Sequence, residues 1–166
     1  DDPDVEITAI GKQWSWDFQY DGETDDDTVW TMGVQAKTDD QGNVISELPT
    51  LVLPVDQSVK IKLQSRDVIH SFWIIDFLYK KDMYIGKDNY WSFTPTREGS
   101  YAGKCAELCG EYHSMMLFNV EVVSEAFAGS PEFAARYGQL GIPEFVRRVY
   151  LNVLAPGPDP AGYEVW

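Results

Sequence analysis

Residues 105–116 read Cys105-Ala106-Glu107-Leu108-Cys109-Gly110-Glu111-Tyr112-His113-Ser114-Met115-Met116 and hold both cysteines of the chain, one of its two histidines and a methionine. Two thiols, an imidazole and a thioether are ligand types that suit copper or another soft metal, whereas magnesium or calcium would want carboxylates and carbonyls. The cysteines stand four positions apart, with His113 four beyond Cys109 and Met116 three beyond that, so one tight loop can aim these side chains at a common centre. The other histidine, His70, lies in the apolar run Val68-Ile69-His70-Ser71-Phe72-Trp73. A lone histidine in such a run is ordinarily a satisfied core residue; the distant cysteine, histidine and methionine cluster makes it a ligand candidate instead.

Four readings of the cluster compete. A Cys105–Cys109 disulfide is the ordinary choice for two cysteines in an exported protein, but it gives His113 and Met116 no task. Zinc on two cysteines and two histidines has a suitable ligand set, at a cysteine spacing looser than that of zinc fingers, and has no use for Met116. A mononuclear blue-copper site takes one cysteine, two histidines and a weak axial methionine, which leaves the second cysteine unexplained. Two coppers bridged by both thiolates use every ligand: each carries one imidazole, and the weak positions fall to the Met116 sulfur and to a backbone carbonyl of the loop.

The pattern C-x-E-x-C-x-x-x-H-x-x-M, with a distant H-S-F upstream, resembles the binuclear copper (CuA) centre of cytochrome c oxidase subunit II. The resemblance implies that His70, Cys105, Cys109, His113 and Met116 are side-chain ligands and that Glu107 supplies its backbone carbonyl. It pairs His70 with Met116 on one copper, and His113 with the carbonyl on the other. It further implies that the free Glu107 carboxylate reaches a magnesium or manganese ion at the border with oxidase subunit I. Gln13-Trp14-Ser15-Trp16 is similar to the family's Q-W-x-W, whose first tryptophan lies on the surface above the copper and receives electrons from cytochrome c; that position is Trp14. Two departures concern docking and interfaces rather than metal. Lys12 stands where the family often has histidine, and Asp82-Met83-Tyr84-Ile85-Gly86-Lys87 has Ile85 and Lys87 where the pattern D-x-x-P-G-R has proline and arginine.

At 166 residues the chain suffices for one domain with a sizeable core and an appendage. Hydrophobic residues make up 44% and aromatics 14%, which argues against disorder. The net charge of -14 argues against nucleic acid or anionic lipid as partner and favours a basic protein or a cation. No run of about eighteen apolar residues is present to span a membrane, and the chain begins at Asp1 without a signal peptide. Members of the resembled family are held by an amino-terminal pair of transmembrane helices. The expectation is therefore a soluble portion of a longer chain, associated with the membrane through a segment absent from this one.

Strand signals surround the cysteine loop. Residues 5–11 alternate as a half-buried strand, with Gly11 expected to mark a bend or bulge, and Gln13 to Tyr20 carries an aromatic at every second position, a strand with one aromatic face. Residues 21–48 are polar and turn-rich, with Asp25-Asp26-Asp27 and Asp39-Asp40 around the apolar run 29–34, and read as an excursion from the sheet, with a hairpin as one form of it. Leu51 to Pro54 and the alternation of Val59, Ile61 and Leu63 give two further strands, the second read as a sheet edge. Residues 80–87 read as a loop, Tyr90 to Thr94 and Gly99 to Lys104 as strands leading into the cysteine loop, and Leu117 to Val123 as a closing strand. Beyond Ser124 the pattern turns helical. Pro131 stands at a first helical position with Gly141 as a stop, and Val146, Val149, Tyr150, Val153 and Leu154 recur at helical spacing up to Pro156-Gly157-Pro158.

The expected fold is all-β, a cupredoxin-like Greek-key β-sandwich over residues 1–123 that carries the excursion 21–48, followed by a short helical extension and tail over 124–166. The expected function is electron transfer in a haem–copper terminal oxidase, a proton-translocating oxidoreductase. A binuclear CuA centre takes electrons from a soluble or fused cytochrome c near Trp14 and passes them toward haem in subunit I, where oxygen is reduced. The implied location is the outer face of a bacterial plasma membrane, or the equivalent intermembrane-space side. Rival readings are the copper domain of a nitrous-oxide reductase, against which the Q-W-x-W segment argues, and a zinc-stabilised binding module without redox activity. A quinol-oxidase subunit shares the fold but lacks the copper ligands.

Overall fold

The computed structural model describes residues 2–21 and 28–124. Runs that alternate apolar with polar residues become strands whose apolar side chains share one face. The first such run forms β1 (Val5–Lys12), followed by β2 (Ser15–Tyr20), β3 (Val29–Met32), β4 (Thr50–Pro54), β5 (Val59–Ser65), β6 (His70–Ile74), β7 (Tyr79–Met83), β8 (Asn89–Phe93), β9 (Gly99–Cys105) and β10 (Leu117–Val123). They assemble into two five-stranded sheets, ordered β3-β2-β1-β5-β8 and β4-β10-β9-β6-β7. Most neighbours are antiparallel, while β1 runs parallel to β5 and β4 parallel to β10. The sandwich is cupredoxin-like, as the sequence predicts.

Its core is aromatic. Trp16 and Phe18 from β2, Phe72 from β6 and Phe118 from β10 are fully buried, and the Phe118 ring stands 4.9 Å from Phe72 and 5.1 Å from Trp16. Such pairs add roughly 0.5–1.5 kcal/mol each beyond the burial of their area. The predicted aromatic stripe is therefore core at Trp16, Phe18 and Tyr20, while Trp14 falls in the β1–β2 turn.

Several expectations need correction. Of the apolar run 29–34, residues Val29–Met32 join the sheet edge as a hairpin would rather than standing off it: β3 pairs antiparallel with β2 from Asp17↔Met32 to Tyr20↔Val29. Gly33 extends that pairing by donating its N–H to the Trp16 carbonyl at 3.0 Å and to Asp17 Oδ1 at 3.1 Å. Asp39 organises a turn farther on, one carboxylate oxygen accepting the Gln41 and Asn43 N–H groups. β5 does face water on one side, yet it lies inside its sheet between β1 and β8. Half of the predicted loop 80–87 is β7, zipped to β6 from His70↔Met83 to Ile74↔Tyr79. Gly11 marks no bend; it keeps register with Trp16 and Ser65, and its lack of a side chain makes room for His70, whose ring would lie 2.9 Å from a Cβ there. The triple aspartate at 25–27 and the predicted helices beyond Ser124 lie outside the described residues.

Candidate metal centre

β9 delivers Cys105 at its last position, and β10 starts only at Leu117. Cys105 N–H donates to the Met116 carbonyl at 3.0 Å, which closes the neck of the intervening loop, and Ala106 N–H donates to the Ser71 carbonyl at 3.0 Å, which ties the loop to β6. Inside the loop the residues His113–Met115 form one 3-10 turn. Because β6 pairs with β9 at Phe72↔Cys105, His70, two residues earlier on the same face, projects beyond the end of β9 over the loop.

All five side chains singled out as ligands meet at this end of the sandwich. The ligand atoms of His70, Cys105 and Cys109 lie within 4.8 Å of one another. Cys105 Sγ is 3.8 Å from His70 Nδ1, and Cys109 Sγ is 3.4 Å from His113 Nδ1 and 3.8 Å from Met116 Sδ. The Glu107 carbonyl lies 3.2 Å from Cys105 Sγ, and the Glu107 residue itself is exposed. Both cysteines are buried free thiols.

Electrostatics prepare the cluster for a cation. Burial opposes ionisation of Cys105, yet hydrogen bonding to His70, to the backbone at Ser71 and Glu107 and to Cys109 together outweighs it and holds the thiol below its ordinary range. Cys109 is pushed up to about 12 by burial and by the charge of Cys105 beside it. Two sulfurs this close resist sharing two negative charges unless a positive ion sits between them. His70 is wholly buried, and its Nε2 meets Asp67 Oδ1 at 2.8 Å. A proton held there by the carboxylate leaves the Nδ1 lone pair facing Cys105, the outer-shell arrangement that orients a ligating imidazole. Two thiols, two imidazole nitrogens turned toward them and a buried thioether fit copper. A disulfide or a zinc site would leave Met116 idle.

Trp14 reaches this centre through one bond. Its indole Nε1 donates to the Cys109 carbonyl at 3.0 Å, Gln13 Nε2 donates to the same oxygen at 2.9 Å, and the Trp14 ring packs edge-on against Tyr112 with centroids 5.0 Å apart. Nearby, the buried Asp17 carboxylate pairs with Lys12 at 2.6 Å. That pair gives Lys12, the position where it departs from the resembled pattern, a structural partner. Sequence reasoning missed Asp67 and Gln13. The first stands three residues before His70 and the second directly before Trp14, so proximity in the chain to a candidate was the signal available.

Comparison with known proteins gives independent findings. Residues 5–123 match a family described as the periplasmic domain of cytochrome c oxidase subunit II, and residues 124–166 match a domain of unknown function. A probable cytochrome c oxidase subunit 2 of Streptomyces avermitilis is 40% identical over 84% of this chain and 51% of its own length. The cytochrome c oxidase subunit 2 of Corynebacterium glutamicum is 30% identical over 76% of the chain and 47% of its own length. The chain thus spans about half the length of these curated relatives. The crystal structure of the periplasmic domain of subunit II of cytochrome oxidase from Bradyrhizobium japonicum superposes with a TM-score of 0.59 at 31% identity, covering 82% of this chain and 96% of that one. Among the described residues no helix is long and apolar enough to cross a membrane.

Proposed function

The chain belongs to the cytochrome c oxidase subunit II family, whose periplasmic domain it matches over residues 5–123, and on that footing we propose that it is the electron-accepting copper domain of a haem–copper terminal oxidase. The observation that supports this reading is the pair of buried thiols beside one another, with the His70 Nδ1 next to Cys105 and the His113 Nδ1 and Met116 thioether next to Cys109. His70, Cys105, Cys109, His113 and Met116 would hold a copper pair, with the Glu107 carbonyl as a further donor. When bound, that pair supplies one-electron redox chemistry with little change in its bonds.

The protein's own part is positional. Asp67 keeps the His70 proton on Nε2 and its Nδ1 free. The β9–β10 neck and the Ser71 contact fix where Cys105 points, and the aromatic core beneath keeps water from the sulfurs. Trp14, half-buried and bonded to the Cys109 carbonyl, offers a π-surface at which a cytochrome c would dock and pass its electron. The acceptor would be haem in subunit I. Oxygen reduction and proton translocation would belong to that subunit, on the outer face of whose membrane this domain would sit. The exposed Glu107 carboxylate would face a magnesium or manganese ion at the subunit border. Residues 1–123 would form the copper domain, and residues 124–166 a separate extension.

Copper reconstitution of the reduced chain, followed by metal counting and electron paramagnetic resonance of the oxidised form, tests the reading. Two coppers per chain, with hyperfine structure from one electron shared by both nuclei, is the expected result. A single isolated copper, or zinc uptake with no stable copper signal, would leave the fold standing and overturn the function.

A further inference from the structure

The outer face of the second sheet carries a row of side chains that the copper site does not use. β6 pairs with β7 at Trp73↔Lys80 and with β9 at Trp73↔Lys104, and β9 pairs with β10 at Lys104↔Leu117, so these four residues stand abreast across four strands. Strand alternation puts them all on the side away from the core. Phe72 and Ile74 on either side of Trp73, Cys105 after Lys104 and Phe118 after Leu117 are buried in the core, and Tyr79, before Lys80, stacks on Trp91 there. Lys80 is exposed, while Trp73, Lys104 and Leu117 are half-buried. The Lys104 ammonium lies over the Trp73 ring, 5.0 Å from its centroid, a cation–π contact.

Charge is sorted differently on the two sheets. On the first, Lys12, Lys60 and Lys62 each pair with a carboxylate. Among the described residues Lys80 and Lys104 pair with none. The carboxylates on the outer face of their own sheet are engaged elsewhere: Asp82 accepts the Tyr84 hydroxyl at 3.3 Å, and Glu121 accepts the Ser100 hydroxyl at 2.7 Å. The Trp73 indole N–H also finds no acceptor among the described residues. A chain of net charge -14 thus keeps two ammonium groups and an indole donor uncommitted in one row.

We propose that this row is a docking strip for a short, extended, acidic segment of a partner protein, with carboxylates taken by Lys80 and Lys104 and the chain between them laid over Trp73. Neighbouring strands lie about 4.8 Å apart, so the two lysines stem from points roughly 10 Å apart with the indole between them. Carboxylates two positions apart on an extended chain project from one side at about 7 Å, a difference that flexible lysine stems close. A half-buried tryptophan between opposite charges is the kind of anchor that dominates an interface, while the charges set which partner is admitted. An anionic bilayer would press the whole acidic domain against a surface of like charge, whereas a segment touches the row alone. This inference does not depend on the copper reading, because no side chain of the row is a ligand candidate.

The test is amide and indole nuclear magnetic resonance of the full 166-residue chain in its reduced state, titrated with a short peptide that alternates glutamate with serine and, separately, with its glutamine counterpart. The glutamate peptide should shift the Trp73 indole N–H and the amides of Lys80 and Lys104 saturably and leave those of Lys60 and Lys62 in place. Its binding should weaken about tenfold as salt rises from about 0.02 to 0.2 M, and the glutamine peptide should move nothing. Lys80→Glu, at an exposed edge position, should weaken the glutamate peptide about tenfold by replacing an attraction with a repulsion. Trp73→Ala should cost about as much by removing the anchor between the charges. Equal shifts at Lys60 and Lys62, or a Lys80→Glu chain that binds the peptide as well as the parent, would overturn the proposal. So would sedimentation of the parent, but not of Lys80→Glu, with vesicles of equal parts phosphatidylglycerol and phosphatidylcholine, since a lipid surface would then be the occupant. Row shifts that grow with protein concentration in the absence of peptide would overturn it too, by making a second copy the occupant.

Discussion

One carboxylate oxygen of Asp67 meets His70 Nε2 at 2.8 Å while the other accepts the Gln13 N–H at 2.7 Å. A single side chain thus sets the tautomer of a buried imidazole and pins the turn that carries Trp14. Asp67→Ala is expected to lower copper affinity by about 10- to 100-fold, the usual cost of losing an outer-shell partner, with far-ultraviolet circular dichroism unchanged. Competition titration against a chelator reads the affinity, and a value within twofold of the parent would remove the orienting role. Trp14→Phe keeps a ring against Tyr112 but loses the bond to the Cys109 carbonyl. The copper spectrum should be preserved while reduction by cytochrome c slows about tenfold or more, as for an aromatic anchor at a docking site; a normal rate would end the case for Trp14. The five ligand candidates were legible because side-chain chemistry alone sets them apart. Asp67 was not, because its approach to His70 depends on a non-helical turn in which Asp67 N–H donates to Ser65 Oγ, and no sequence period announces that turn.

At the scale of elements, the strands that the sequence displays are those whose alternation survives into a half-buried face, such as β5 with Val59, Ile61 and Leu63 inward. The two that it hides, β3 and β7, are both sheet edges. β7 begins Tyr79-Lys80-Lys81, the first two exposed and Lys81 half-buried, and charged residues on an edge strand discourage pairing with another chain. The lysines that imitate a loop are consistent with an edge. Packing between β9 and β10 leads to a sharper expectation. Gly103 faces Phe118 across the ladder, and a Cβ at Gly103 would lie 2.1 Å from Phe118 Cζ. Gly103→Ala should therefore push that ring into Phe72 and Trp16 and destabilise the domain by about 1–3 kcal/mol. Urea melting measures the loss, and adding Phe118→Leu should recover part of it. An unchanged midpoint in the single variant would mean that the core yields more easily than four interlocked aromatics suggest.

Over the whole molecule, the net charge of -14 is unevenly compensated. On the first sheet Glu6 pairs with Lys60, Asp88 with Lys62, and the buried Asp17 with Lys12. In the metal loop Glu107 and Glu111 are exposed, and among the described residues neither forms an ion pair. The uncompensated Glu111 carboxylate thus stands next to Tyr112 at the Trp14–Tyr112 surface, where a lysine-rich donor would be drawn in over a distance set by the Debye length, about 10 Å at 0.1 M salt. Steering of this kind acts on the association rate and fades with ionic strength. Reduction by a basic cytochrome c should therefore slow about tenfold as salt rises from about 0.02 to 0.2 M. Glu111→Gln should lower the low-salt rate by about two- to threefold and flatten the salt dependence, with the copper content unchanged. Stopped-flow kinetics at several ionic strengths separates the two possible uses of the acidity. A rate indifferent to salt in the parent chain would place donor docking on the aromatic surface alone and leave the charge to keep the protein soluble.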